Sequence, residues 1–399
     1  MLKSNKIIVI GGGYAGLRTI EYLAKNRQNQ ITLFDKNSYH YMQTEVYDLI
    51  ANEEDFAQVT QDLFTFCLGF DGNVVFCKQE VMNIDFDNKK VITDIQRYNY
   101  DYLVIAVGAR TKFLSSIKGL KEYAHGIKSL HHAMYFKQKF EMSLFNKVRE
   151  GGAQAKPLNI IVAGAGLSGV EISAQMASYS REFYDRNNFI CRGLNIVLIN
   201  SAKNILPGMD EKLVQKSKKR LNKLGVKVKN EKKVVELDGV NVSLSNGEVL
   251  PMDFMIFAGG IQPSPLVYKL DLEKNSYGYI ETNEFLQVKK YEEVFAIGDC
   301  TTIYNDGKTL APTADVAEQM AEYCAKNIEN LILDKELQAY KIASRGMLIA
   351  LGRNYASSKV LGLYFNGYIA YTVKKLIERL YALRLSRVAK KGCKKIFEC

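Results

Sequence analysis

The chain has 399 residues, 47% hydrophobic and 24% charged, an ordinary globular balance that excludes a disordered or fibrous chain and leaves room for two or three domains. The net charge of +11 is uneven: between Lys374 and Lys395 nine basic side chains face one acid, Glu378, so this segment carries +8 and the rest is near neutral. The seven cysteines (Cys67, Cys77, Cys191, Cys300, Cys324, Cys393, Cys399) are scattered, odd in number and contain no CxxC pair, which argues against a zinc site or a disulfide framework and for a reducing compartment.

Lys6–Ile10 reads as a buried parallel strand and Leu17–Asn26 as a helix. No signal peptide is expected ahead of so early a strand. Gly11, Gly13 and Gly16 lie between them as G-x-G-x-x-G, a spacing that allows a tight turn and lets a pyrophosphate reach backbone N–H groups at a helix N-terminus. The next strand, Ile31–Asp35, ends on an acid placed to accept hydrogen bonds from a ribose 2′-OH. Tyr39–Tyr47 is expected as an aromatic loop, able to edge a ring cofactor or simply to pack. Asp101–Gly108 is a second buried strand ending in glycine. His125, His131 and His132 lie near a helix expected from Leu130 to Phe140 and are read as solvated or packed, since no further metal ligands accompany them.

Gly151–Lys156 is a plausible junction, after which the pattern repeats. Ile160–Ala163 is an apolar, β-branched strand; Gly164, Gly166 and Gly169 form a second G-x-G-x-x-G, and a helix runs on to about Tyr184 with Glu171 near its start. Two such folds in one chain imply two dinucleotides that exchange electrons. Leu194–Asn200 is the following strand; Asn200 stands where an NADH site usually carries an acid, and Lys203 nearby would attract a 2′-phosphate. Lys212–Leu224 reads as a charged helix, Val226–Leu237 and Val242–Leu244 as strands, and Phe254–Gly260 as a buried strand ending in glycines. Pro263 and Pro265 mark a loop, and Glu293–Cys300 a strand that ends at Gly298-Asp299. In Leu310–Tyr323 a loop enters a helix on which Asp315 and Gln319 share a face.

Five blocks in this order, Gly11–Gly16 with Asp35, Asp101–Gly108, Gly164–Glu171, Phe254–Gly260 and Ala296–Asp299, resemble the two-dinucleotide-binding-domain flavoproteins over about residues 1–335. The resemblance implies an α/β fold of two Rossmann-like dinucleotide-binding domains, FAD on residues 1–118 and 256–335, NAD(P)H on residues 119–255, and a C-terminal amphipathic-helix membrane-attachment region over 336–399. It assigns Gly11, Gly12, Gly13, Tyr14, Ala15, Gly16, Asp35, Gly108, Gly298 and Asp299 to FAD, the last through the ribityl chain. It assigns Gly164, Gly166, Gly169, Glu171, Asn200 and Gly259 to NAD(P)H.

Within this superfamily the chain resembles the type II NADH:quinone oxidoreductases, single-subunit respiratory dehydrogenases that do not pump protons. Gly169-Val170-Glu171 is similar to their second fingerprint. Ala314, Ala317 and Gln319 match their quinone motif A-Q-x-A-x-Q, in which Asp315 replaces the first glutamine. Arg345–Ala356 and Gly362–Leu383 resemble their membrane-attachment region. The resemblance implies electron transfer from NADH, with NADPH as the alternative donor, through FAD to a membrane quinone. Glu171, Asp315 and Gln319 would line the meeting place of nicotinamide and quinone, although Glu171 also suits a helix start, where the dipole favours a carboxylate, and Asp315 a helix cap. A sulfide:quinone oxidoreductase, with Cys300 as the nearest cysteine, and a catalytically weak FAD-binding membrane sensor or scaffold are the alternative readings.

The C-terminal stretch has a physical reading of its own. Ile369, Val373, Leu376, Ile377, Leu380 and Leu383 fall at helical spacing, with Lys374, Lys375, Glu378 and Arg379 on much of the other side. A basic amphipathic helix with interfacial tyrosines lies in a headgroup layer, which suits a peripheral enzyme on the cytoplasmic face of the cell inner membrane. Packing on its own domain or on a second copy, as in a homodimer, is the other reading. No recognition motif points to nucleic acid.

Overall fold

The computed structural model describes residues 4–149, 157–186, 194–305 and 308–397; the junction expected at Gly151–Lys156 lies outside them. Two parallel sheets organise the chain. The first has the strand order Gln287–Val288, Tyr291–Ala296, Tyr102–Ile105, Asn5–Ile10, Asn29–Asp35, Val74–Lys78, parallel except for its first pair. The second has the order Ala124–His125, Phe254–Phe257, Leu158–Ala163, Leu194–Ile199, Lys227–Lys229, parallel throughout. Each places its fingerprint strand centrally, where both faces are covered and a continuous β-branched run is required. Ile7–Ile10 and Ile160–Ala163 are accordingly buried without alternation.

The chain passes between the sheets as an antiparallel ribbon, Ala109–Thr111 against Ile261–Pro263. The expected domain boundary at residues 255/256 falls inside the strand Phe254–Phe257, which pairs wholly within the second sheet; the return crossing is this ribbon instead. The expected strand Val226–Leu237 is two strands in two sheets, Lys227–Lys229 and Val234–Leu237. Tyr39–Tyr47 is not a loop throughout. Tyr39–Tyr41 pairs with Thr60–Asp62, because His40 points inward between two tyrosines with the two-residue period of a strand, and a short helix follows at Val46–Ile50.

The last part of the chain forms an antiparallel meander, Met347–Ala350, Ala356–Val360 and Leu363–Gly367, followed by a helix from Tyr368 to Phe397. At 30 residues this helix is about 45 Å long. It packs on the short helix Leu63–Leu68 through a reciprocal pair of glycines. A Cβ on Gly69 would lie 2.0 Å from Val388 O, and one on Gly392 would lie 2.0 Å from Thr65 O. Glycine in a helix interior costs about 1 kcal/mol, which the backbone approach explains. Leu385 thereby joins the core of the first sheet. Among the described residues no helix is long and apolar enough to cross a membrane.

Candidate active site

The two glycine turns are geometric copies. Gly11 and Gly164 both have φ +106°, and a Cβ on either would strike the backbone of the neighbouring return strand, at Ala106 O (2.4 Å) or Ala258 C and O (2.5 Å). Gly16 and Gly169 allow the helix to descend on the turn, since a Cβ there would lie 1.9 Å from Gly11 O or 1.7 Å from Gly164 O. The middle glycines, Gly13 and Gly166, have nothing within 4 Å of that position. This is the cradle a dinucleotide requires: two glycines fixed by sterics and one facing open space beside free N–H groups. The helix Tyr14–Leu23 has no side-chain cap and no acid in its first turn to compete for them.

Asp35 lies at the end of its strand as expected. Its carboxylate accepts from Gly12 N (2.8 Å) and Asn37 N (2.8 Å), while burial pushes its pKa up. Asn200, its counterpart in the second fold, is buried, and its amide is engaged locally: Nδ2 donates to Ala202 O and Asn230 Oδ1, both at 2.9 Å, and Oδ1 accepts from Ala202 N (3.3 Å). Its role in the structure is to shape the turn that carries Lys203.

The first fingerprint, the Gly298-Asp299 turn and the expected quinone motif converge. A Cβ on Gly298, whose φ is +73°, would meet Ala15 Cβ at 3.3 Å and Ala317 Cβ at 3.8 Å. Gly108, at φ +60°, and Gly259 lie just past the two return strands, Tyr102–Ile105 and Phe254–Phe257. Asp299 is ion-paired with Lys128 at 2.8 Å, a partner absent from the sequence reading because it stands 171 positions away.

Glu171 is neither solvated nor a first-turn residue: its helix begins at Leu167, and its side chain is buried. Oε1 accepts from Ala350 N at 2.9 Å, and burial raises its pKa to about 7 against the pull of Lys374. Asp315 does not cap its helix, because Thr313 Oγ1 accepts from Val316 N. Asp315 accepts from Gln319 Nε2 (2.9 Å) and ion-pairs with Arg345 (3.0 Å), and Gln319 grips Ala343 by both N–H (2.9 Å) and C=O (3.0 Å). Gln319 and Asp315 are thus together, and the strip Ala343–Ala350 connects them to Glu171 across the two folds. Ala314 opens the same helix.

Around Glu171 lies a buried ionic network that sequence spacing does not reveal. Lys375 Nζ donates to Asp48 and Glu54, both at 2.8 Å; Lys374 pairs with Glu378; Gln175 donates to Asp48; Tyr371 donates to Glu53 at 2.9 Å. Burial and like charges raise Glu45 to about 8 and Glu53 to about 7. Lys374 and Lys375, expected on an outward polar face, are only 9% and 8% exposed. The apolar stripe is outward instead: Ile369 is 68% exposed, and Leu376, Ile377, Leu380 and Leu383 are exposed with Tyr368 and the hairpin tip Leu361 and Leu363. A helical wheel gives two faces and not which one meets the protein; the acids of residues 45–54 decide it.

Cys300 Sγ lies against Ile105 O and Ile297 O, and burial pushes its thiol up to about 12. A thiolate for sulfide chemistry is disfavoured there. Among the described residues no group of three or more metal-ligating side chains converges.

The model of the pyridine nucleotide-disulphide oxidoreductase family matches residues 5–321. The type II NADH:quinone oxidoreductase of Staphylococcus aureus is 30% identical over 407 residues, covering 97% of this chain and 98% of that protein. The solved structure of NDH2 from Plasmodium falciparum in complex with NADH superposes with a TM-score of 0.85 at 19% identity, covering 99% of this chain and 98% of that one. The sulfide:quinone oxidoreductase of Aquifex aeolicus follows with a TM-score of 0.81 at 21% identity, covering 96% and 92%.

Proposed function

The chain belongs to the pyridine nucleotide-disulphide oxidoreductase family, within it to the type II NADH:quinone oxidoreductases, and from that premise we propose how its own residues divide the work. It is an FAD-dependent enzyme that moves two electrons from NADH to a quinone. The observation that carries the division is the pair of glycine turns of like geometry, the first of which meets Gly298 and Ala317 through Ala15.

FAD, when bound, supplies the two-electron carrier between the two substrates. Gly11–Gly16 and Asp35 would hold its phosphates and ribose, and Asp299, paired with Lys128, would bind its ribityl chain. Gly164–Gly169 would hold the nicotinamide dinucleotide, and Asn200 braces the adjoining turn through its amide. Quinone reduction consumes two protons as well as two electrons. Glu171, with Oε1 tied to Ala350 N–H, holds or releases a proton at Oε2 near neutral pH. The Asp315–Gln319 pair sets the quinone side by fixing Ala343–Arg345.

Quinones reside in the bilayer, and the outward stripe from Leu361 to Leu383 supplies a face for it. Arg379, Arg387, Lys390, Lys391 and Lys394 are exposed on the same helix, each contributing about 1 kcal/mol toward an anionic surface before screening. These features support a monotopic enzyme, and we propose the cytoplasmic face of the membrane as its side. A homodimer through the stripe is the competing occupant.

The test is NADH-driven reduction of a quinone analogue by FAD-loaded protein, paired with sedimentation on phosphatidylglycerol vesicles. Turnover with NADH and co-sedimentation that Leu380→Glu abolishes are expected. Turnover with sulfide but not NADH contradicts the enzyme reading. A dimer that ignores vesicles contradicts the membrane face, and FAD-loaded protein inert toward every donor supports a sensor instead.

A further inference from the structure

The first glycine turn is connected to the C-terminal helix by a hydrogen-bond chain whose polarity is fully determined. His40 Nδ1 lies 3.0 Å from Gly12 O, a carbonyl that only accepts, so Nδ1 carries the proton. His40 is 1% exposed, and burial holds its pKa down at about 4, so the ring is neutral and Nε2 is an acceptor. Tyr381 Oη, 2.8 Å from Nε2, must then donate. On the other side of the same residue, Gly12 N donates to Asp35 Oδ2. The sequence Tyr381, His40, Gly12, Asp35 therefore runs from the outer helix to the ribose-binding acid. A second contact runs in parallel: the Tyr14 ring, first residue of the fingerprint helix, packs 4.9 Å from His40 and 5.0 Å from Tyr381, with its hydroxyl 3.0 Å from Thr44 Oγ1.

The trans peptide makes this mechanically specific. Gly12 C=O and Gly13 N–H belong to one plane and point oppositely. Anchoring the carbonyl on His40 fixes the direction in which Gly13 N–H is offered, at the glycine that faces open space. We propose that His40 and Tyr381 are positioning residues for the FAD-phosphate turn, so that FAD retention depends on the seating of the C-terminal helix at Tyr381, and a bilayer that seats this part of the helix tightens the hold on FAD. The proposal rests on FAD occupying the first fold. Coupling of this kind is reciprocal: FAD must also steady the helix around Tyr381.

The experiment measures the FAD dissociation constant, from the fluorescence of released FAD, for wild type, Tyr381→Phe, His40→Leu, the double variant and Lys395→Met, with and without phosphatidylglycerol vesicles. Lys395 fastens the far end of the helix to Phe70 O at 2.6 Å and touches none of the chain. Tyr381→Phe is expected to weaken FAD by about fivefold, the effect of one buried hydrogen bond. It should add little on a His40→Leu background and should reduce the tightening by vesicles. Hydrogen exchange in the helix around Tyr381 should slow on FAD binding in wild type and much less so in Tyr381→Phe. Wild-type FAD affinity in Tyr381→Phe, or equal weakening by Lys395→Met, overturns the proposal. A wild-type protein that takes up no FAD overturns both it and the reading of the first fold. Should His40→Leu fail to fold, Tyr381→Phe against Lys395→Met decides alone.

Discussion

Replacing Glu171 by glutamine isolates one proton at the centre of the molecule. The amide keeps an oxygen for Ala350 N–H and removes only the charge. Raising a carboxyl from 4.5 to about 7 corresponds to roughly 3 kcal/mol of preference for the neutral form in the fold. Because the folded pKa lies above the unfolded one, that stabilisation is complete below about pH 4.5 and is lost as pH rises through 7. The stability of Glu171→Gln relative to wild type should therefore grow by about 3 kcal/mol between pH 4.5 and pH 8, read as paired denaturant midpoints of FAD-loaded protein. Steady-state NADH:quinone turnover should fall by about a hundredfold at neutral pH and lose the limb that titrates near 7. Parallel stability curves, or unchanged turnover with full flavin content, would refute a buried proton at this position.

The remaining predictions are structural. Lys375→Met strands Asp48 and Glu54 in the interior and should cost about 3–5 kcal/mol by chemical denaturation; a loss under 1 kcal/mol would mean that water reaches the pair. Gly16→Ala should fail to fold around FAD, because its Cβ would lie 1.9 Å from Gly11 O, whereas Gly13→Ala should fold and bind FAD at least tenfold more weakly, as measured by FAD titration. Ile377→Glu should change stability by no more than about 0.5 kcal/mol, since the residue is exposed, while lowering the fraction bound to anionic vesicles.

Much of the fold was legible because its signals are local. A β-branched run, three spaced glycines and a terminal acid fall within thirty residues, and both glycine turns take the conformation the spacing demands. What was missed is long-range. His40 read as one polar residue in an aromatic loop, and only the fold brings it under Gly12 and beside Tyr381. Glu171 sits on a helix whose burial depends on Ala350, 179 positions on. Lys374 and Lys375 had the composition of a membrane-facing charge, yet Asp48 and Glu54, over 300 positions earlier, draw Lys375 inward, and Lys374 is buried beside it against Glu378. The consequence is a helix that turns its leucines out.

Anaerobic bleaching of the flavin absorbance is the most direct measurement of electron transfer between the two dinucleotide turns. Purified protein is mixed with NADH, or separately with NADPH, and a menaquinone or ubiquinone analogue is then added. Rapid bleaching by NADH and full recovery on adding quinone are predicted. No bleaching by either nucleotide, or bleaching that quinone leaves unchanged, would contradict it.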